Sequence, residues 1–276
     1  MDIAVLGALD VKEHGVSVTP TAPKPRQVLA LLALHADQVV PVAALVEELW
    51  GERPPRSART TLQTYILQLR DLIAAALPAE DPRTSKNVLV TSPGGYLLST
   101  SAGASDVREF ERLAGLGYRA MDAGDFTGAA RELRDALALW TGTALADVQT
   151  GPQLEMHCRR LEETRLCALD QRIEADLRLG RHRELLGELT VLVSRYRTHE
   201  NLHAQFMLAL HRSGRRSEAL EAYQRLRNAL VRELGLEPSA ALRRLQRSIL
   251  MASPTTPAPT LHSTGVGTGD RLSHVG

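Results

Sequence analysis

The sequence predicts an α+β winged helix-turn-helix domain followed by an all-α, tetratricopeptide-like domain. Three observations carry this prediction. In the first hundred residues, short strand patterns precede three helical segments and a closing hairpin. From Asp106 onward the apolar residues keep helical spacing. Gly180 and Gly214, each in a short polar turn, lie 34 positions apart, the period of a tetratricopeptide helix pair.

Taken in order, Ile3 to Leu9 reads as a strand. Val11 and the alternating Val16-Ser17-Val18 give two more around a turn at His14-Gly15. A helix from about Pro25 carries Val28, Leu29, Leu31, Leu32 and Leu34 on its inner face. Pro41 opens a second helix with Leu45, Val46 and Leu49 on its apolar side, and Gly51 stops it. A third helix runs over 57–76. Val88 to Thr91 and Tyr96 to Leu98, joined by Ser92-Pro93-Gly94-Gly95, form a hairpin, so the first domain covers 1–98. The Ser/Gly/Ala-rich stretch 99–105 reads as a short linker. The helical domain covers 106–253. In its Ser213 to Tyr223 segment, a turn is followed by small residues that let two helices approach closely. Gly124-Asp125-Phe126 with Ala129, Ala130 and Leu133 is a looser copy. The tail, 254–276, is rich in Pro, Thr, Ser and Gly and is expected to be disordered.

Composition narrows the class. A chain of 276 residues with 43% hydrophobic content can build one or two sizeable cores. No apolar run approaches the ~20 residues that span a bilayer, and no basic segment precedes the first apolar stretch, so neither an anchor nor a signal peptide is expected. Cys158 and Cys167 are too few for a disulfide framework and point to opposite faces of one helix, which suits a reducing cytoplasm. A formal net charge of +1 excludes a general basic coat but leaves room for a local basic patch.

The third helix is the informative element. Leu62, Ile66, Leu69 and Ile73 recur at steps of three and four and define a core face. The other face presents Thr60, Gln63, Thr64 and Gln68. A helix fits the major groove of DNA, where Gln can bond adenine at two points and a Thr methyl can touch the thymine methyl. These four are the candidate base-reading residues. Arg56, Arg59, Thr61, Tyr65 and Arg70 are candidate phosphate contacts. No acidic residue interrupts the stretch between Arg53 and Arg70. The hairpin residues Thr91, Ser92, Gly94 and Gly95 are further candidate phosphate contacts, with the Gly94-Gly95 turn placed to lie in an adjacent minor groove.

Several of these segments are recognisable. Arg59-Thr60 through Leu69-Arg70, Val88 to Thr91 and Gly95-Tyr96 resemble the effector domain of OmpR/PhoB-type response regulators. The helical region resembles the bacterial transcriptional activation domain. Its landmarks are Asp106 to Phe110, Ala136 to Trp140, Leu202 to Leu210 running into Arg215 to Tyr223, and Leu234-Gly235-Leu236-Glu237-Pro238. Together, over about residues 1–250, they resemble the Streptomyces antibiotic regulatory protein family. The resemblance implies a cytoplasmic, nucleoid-associated activator of secondary-metabolite gene clusters. It implies binding to promoter direct repeats, recruitment of RNA polymerase holoenzyme and self-association on DNA. It implies no cofactor, metal, membrane contact or catalysis. With no phosphoacceptor domain ahead of the winged helix in this sequence, two-component phosphorylation is not expected, and with no Gly-x-x-x-x-Gly-Lys-Ser/Thr loop in it, neither is the ATPase extension of larger relatives. Leu67 and Gln68 stand where response regulators often place basic residues, so base preferences do not transfer. A repressor or architectural DNA binder of the same fold is the alternative reading.

One motif points elsewhere. His199-Glu200-Asn201-Leu202-His203 satisfies the His-Glu-x-x-His pattern of zinc peptidases, in which both histidines share a helix face. Phe206 and Ala209 stand where an extended peptidase motif needs Gly and His, and Glu218 and Glu221 are the remote third-ligand candidates. The alternative is a helix start at a repeat boundary, with Glu near the positive helix end. Trp50 and Trp140 read as core anchors, the cysteines as buried small residues, and Glu47, Glu48 and Glu52 as a solvated face.

Overall fold

The computed structural model describes residues 1–101 and 103–251, so the expected tail at 254–276 lies outside the described residues. The chain opens with β1 (Asp2–Ala4), β2 (Asp10–Glu13) and β3 (Val16–Ser17), paired antiparallel in that order. His14 and Gly15 both take positive φ, 49° and 79°, as a two-residue hairpin turn requires. The expected first strand is cut short at Ala4. Val5 to Gly7 bond instead to the distant segment around Leu145: Thr141 donates to Leu6 O (2.9 Å), Leu145 to Val5 O (3.0 Å) and Ala146 to Gly7 O (3.0 Å).

Next come α1 (Pro23–Leu34), β4 (Val39–Pro41), α2 (Val42–Trp50), α3 (Ala58–Ala76), α4 (Ser85–Val88), β5 (Leu89–Ser92) and β6 (Gly95–Leu98). The second sheet has the order β4-β6-β5. Sequence reasoning found its hairpin but not β4. Three residues are too few to show alternation, and they are a strand because Val40 pairs with Tyr96. Pro41 is the N-cap of α2 rather than its first residue, and Gly51 ends that helix at φ 59°. Leu29, Leu32, Leu45, Leu62, Ile66 and Leu98 belong to one buried cluster that fixes α3 over α1 and the hairpin.

The remainder is helical: α5 (Asp106–Asp122), α6 (Phe126–Ala138), α7 (Pro152–Arg178), α8 (His182–Arg195), α9 (Glu200–Arg212), α10 (Arg216–Leu234) and α11 (Ala240–Met251). Three turns repeat one geometry. Gly124, Gly180 and Gly214 sit at φ 76°, 78° and 81°, and the residue after each donates back five positions: Asp125 to Ala120 O, Arg181 to Asp176 O, Arg215 to Leu210 O. This Schellman closure suits glycine, whose missing Cβ makes the left-handed conformation free of strain. It yields three helix pairs, α5–α6, α7–α8 and α9–α10. The buried Ala219 and Ala222 let α10 lie close against α9, as the repeat-like spacing predicts.

The stretch 99–105 is not a free linker. Thr100 is buried and gives its N–H and hydroxyl to the Asp37 carboxylate (2.9 and 2.7 Å), and Ile3 N donates to Ala104 O (2.8 Å). The winged helix and the helical region also share apolar packing: Leu145 and Leu154 join the winged-helix core, while Leu6 packs with Phe110 and Trp140. Glu48, expected on a solvated face, is 2% exposed. Its carboxylate accepts from the N–H groups of Gly151, Gln153 and Leu154 at the start of α7, and from Gln27 Nε2. A helix begins with unpaired donors, and here a carboxylate from another element satisfies three of them. Gly7 and Gly151 permit the close approach. A Cβ on either would come within about 2 Å of an oxygen across the junction, Thr141 Oγ1 or Glu48 O.

Candidate nucleic-acid interface

The outward side of α3 follows directly from its inner side. Leu62, Ile66, Leu69 and Ile73 are buried, so at 3.6 residues per turn Thr60, Gln63, Thr64, Leu67 and Gln68 line the opposite face, and all are exposed. Thr64 Oγ1 donates to Thr60 O (3.2 Å), which occupies the hydroxyl. Leu67 is 59% exposed in the middle of this stripe. Sequence reasoning noticed Leu67 only as a departure and did not place it among the readers. Its angular position between Gln63 and Thr60 is the available signal. Asp71 continues the stripe toward the helix C-terminus and is exposed.

The start of α3 is open. Ser57 makes no side-chain cap and the first turn holds no acid, while Arg56 and Arg59 are exposed beside it. Uncapped N–H groups flanked by guanidiniums make a receptive place for an anion. The hairpin turns at Pro93-Gly94, where Gly94 is exposed with φ 80°.

Other predicted contacts have different tasks. Arg70 donates from Nε and Nη2 to Leu89 O (3.1 and 2.8 Å) and from Nη2 to Thr91 Oγ1 (2.8 Å). It therefore ties α3 to β5 rather than standing ready for a phosphate, and it engages the Thr91 hydroxyl as well. Gly95 is buried, and a Cβ there would sit 2.3 Å from Val40 O, so this glycine serves sheet packing and not a groove. Tyr65 is half-buried against the core, and Thr61 and Ser92 are half-buried.

Known proteins show the same arrangement. A family model described as the transcriptional regulatory protein C-terminal domain matches residues 17–98, and one described as the bacterial transcriptional activator domain matches 105–250. The regulatory protein DnrI of Streptomyces peucetius is 56% identical over 254 residues, spanning 92% of this chain and 93% of DnrI. The chain belongs to the Streptomyces antibiotic regulatory protein family. AfsR of Streptomyces coelicolor is 38% identical over 251 residues, which cover 91% of this chain and 24% of AfsR. The solved structure of Mycobacterium tuberculosis EmbR, in complex with a low affinity phosphopeptide, matches with a TM-score of 0.81 at 33% identity. That match covers 90% of this chain and 64% of the EmbR chain. Membership makes the chain a DNA-binding transcriptional regulator of the activator type, built as a winged helix followed by helical repeats.

The peptidase-like motif of this family member has a structural task. His199 lies outside the helix as the N-cap of α9, with extended backbone (φ −82°, ψ 95°), and its Nδ1 accepts from Leu202 N at 3.3 Å. His199 therefore caps the helix that the motif expects to carry both histidines, and its Nδ1 is engaged in that cap. Glu200 accepts from Ser239 N (2.9 Å), and Glu218 is paired with Arg215 (2.5 Å). Among the described residues, the potential metal ligands that come together are Glu13, His14 and Asp81. Arg83 Nη2 lies within 2.9 Å of all three and supplies the positive charge itself. Cys158 is half-buried and Cys167 is exposed, so only the first fits the expectation of a sheltered thiol.

Proposed function

We propose that this protein activates transcription of a secondary-metabolite gene cluster by reading promoter direct repeats with α3 and recruiting RNA polymerase holoenzyme through its helical repeats. The observation that carries the reading is the exposed stripe Thr60, Gln63, Thr64, Leu67 and Gln68 on a helix whose other face is wholly core. Glutamines reach adenine edges, and the Thr64 methyl and Leu67 side chain suit thymine methyl groups. Arg56 and Arg59, with the open N-terminus of α3, hold phosphates and set register. The exposed turn at Gly94 is assigned to a neighbouring minor groove. Support for the pathway comes from likeness to DnrI and AfsR, both regulatory proteins of Streptomyces.

The test begins with footprinting on the promoter and gel-shift titration of full-length protein on cognate and scrambled duplexes. Gln68→Ala and Leu67→Ala are each expected to weaken cognate binding by about 1–3 kcal/mol and to leave scrambled binding nearly unchanged. Equal losses on both duplexes would remove these residues from base reading. Transcription in vitro with purified holoenzyme on the footprinted promoter then tests activation: added protein should raise transcript yield, and a fall would favour a repressor.

A further inference from the structure

The helix pairs stack by one rule. The first helix of each pair rests on both helices of the pair before it: α7 on α5 and α6, α9 on α7 and α8. In the same way α11 rests on α9 and α10. It holds the place of the first helix of a fourth pair, and among the described residues no second helix follows to pair with it. Between α11 and α10 lies an open groove of about 730 Å³. Leu220, Gln224 and Asn228 stand at steps of four along one wall, and Gln246 and Leu250 along the other, so each wall is a ridge of one helix. Grooves between such ridges are where a further helix packs. Leu250 is 44% exposed and Leu220 is half-buried, which leaves apolar surface uncovered along the groove.

The two rims differ in charge. On the α11 side, Arg243, Arg244 and Arg247 are exposed, and the helix holds no acidic residue. At 100° per residue, Arg243 and Arg247 lie within about 60° of Leu250 around the helix, on the groove side. Among the described residues none of these three arginines forms an ion pair. Glu237, which feels the charge of Arg243, is already held by Arg227 at 2.7 Å. On the α10 side, Glu221 and Arg225 neutralise each other (3.8 Å). The groove therefore joins an apolar floor to one rim of uncompensated positive charge.

We propose that the α10–α11 groove seats an acidic amphipathic helix of RNA polymerase holoenzyme, with its apolar seam on Leu220 and Leu250 and its carboxylates toward Arg243 and Arg247. The proposal rests on the reading of this chain as an activator that recruits holoenzyme, and it names the surface that does so. A helix laid in a groove supplies apolar anchors at steps of three and four, which matches the spacing of both walls. Carboxylates beside that seam meet the guanidiniums in charge-assisted pairs and set the direction of docking. A phosphodiester backbone would satisfy the arginines but leave Leu220 and Leu250 uncovered. The sequence after Met251, with prolines at 254, 257 and 259, does not read as the missing helix.

Fluorescence anisotropy of labelled full-length protein with purified holoenzyme, in the absence of DNA, tests the proposal. Leu250→Glu and the double variant Arg243→Glu/Arg247→Glu should each weaken holoenzyme binding at least tenfold and lower transcript yield in vitro, with promoter affinity unchanged. Arg183→Glu, on the exposed side of α8, should do neither. A synthetic helical peptide with leucines on one face and glutamates beside them should compete with holoenzyme, and the same peptide with lysines for glutamates should not. Thermal unfolding checks the fold of Leu250→Glu; if it is unfolded, the exposed double arginine variant carries the test. Unchanged holoenzyme affinity in the double variant overturns the proposal, as does an equal loss in Arg183→Glu. If the double variant loses promoter affinity instead, the rim is a DNA contact. If sedimentation shows that it breaks a dimer, the groove belongs to a second copy. If Arg243 and Arg247 resist phenylglyoxal in the full chain but not in residues 1–253, the tail fills the groove. Each of these three results also overturns the proposal. Wild-type protein that activates together with groove variants that activate equally would remove the groove and leave the activator reading standing. Wild-type protein that neither binds holoenzyme nor raises transcript yield would remove both.

Discussion

Arg70 spans from α3 to β5 with three charge-assisted hydrogen bonds, and its removal should be felt first in stability. Arg70→Ala is expected to cost about 1.5–3 kcal/mol in denaturant unfolding, the range for bonds to a charged group. DNA affinity should fall through displacement of the wing, with the salt dependence of binding nearly unchanged. A slope reduced by about one would return Arg70 to the phosphate contacts. The thiols separate cleanly. Burial, with nearby Glu162, pushes Cys158 up to about 11, and Cys167 is exposed. Iodoacetamide at pH 8 should modify Cys167 alone in the folded protein, read by mass spectrometry, and Cys158 only after unfolding. His203 gives a pH signature. Its folded pKa of about 4 lies below the ordinary value of 6.5, so its neutral form contributes stability above pH 6.5 that is lost as pH falls toward 4. Burial is the main cause, the charges of Arg225 and His199 add to it, and backbone hydrogen bonds with Arg197 and Val193 act in the opposite direction. The loss is at most roughly 3 kcal/mol, and His203→Leu should flatten the unfolding curve across that window.

At the scale of elements, α7 is begun by Glu48 of α2, and the consequence is measurable. Glu48→Ala strands the N–H groups of Gly151, Gln153 and Leu154 and the amide of Gln27 at a buried junction. A loss of about 3–5 kcal/mol is expected in equilibrium unfolding, with Glu48→Gln recovering part of it. No local pattern announces this contact, because the partners are more than a hundred positions apart and a glutamate between Glu47 and Leu49 reads as surface. Elements with their own periodicity were legible: α3 from Leu62, Ile66, Leu69 and Ile73, the hairpin around Pro93-Gly94, and the repeat turns from Gly180 and Gly214. Elements defined by their neighbours were not. Val39–Pro41 is a strand through β6 alone, and Val5 to Gly7 leave the first sheet to bond with the segment near Leu145. The reading face followed the same division. Its exposed stripe came from helical spacing, whereas the tasks of Arg70 and Gly95 depend on Leu89 O and Val40 O, which spacing cannot reveal.

For the whole molecule, the shared packing changes what truncation should do. A fragment of residues 1–105 keeps α3 but loses Leu145 and Leu154 from the winged-helix core and Asp147, which receives Leu9 N (2.8 Å) and Arg26. It should unfold at lower temperature than residues 1–253 by differential scanning calorimetry, and bind DNA more weakly in proportion to its unfolded fraction. Equal melting of the two would mean that the junction contributes nothing to the winged helix. The same junction has a mechanical side. At 1.5 Å per residue, the 27 residues of α7 make a strut about 40 Å long, seated at one end on the helix just before α3 and leading at the other into the later repeats. A tilt of about 5° at the seat would carry the far end through about 3–4 Å, roughly the rise of one base pair. If α3 reads DNA as proposed, the groove it enters would then set the compass bearing of everything beyond Arg178, and two copies on direct repeats would point their helical domains the same way along the duplex.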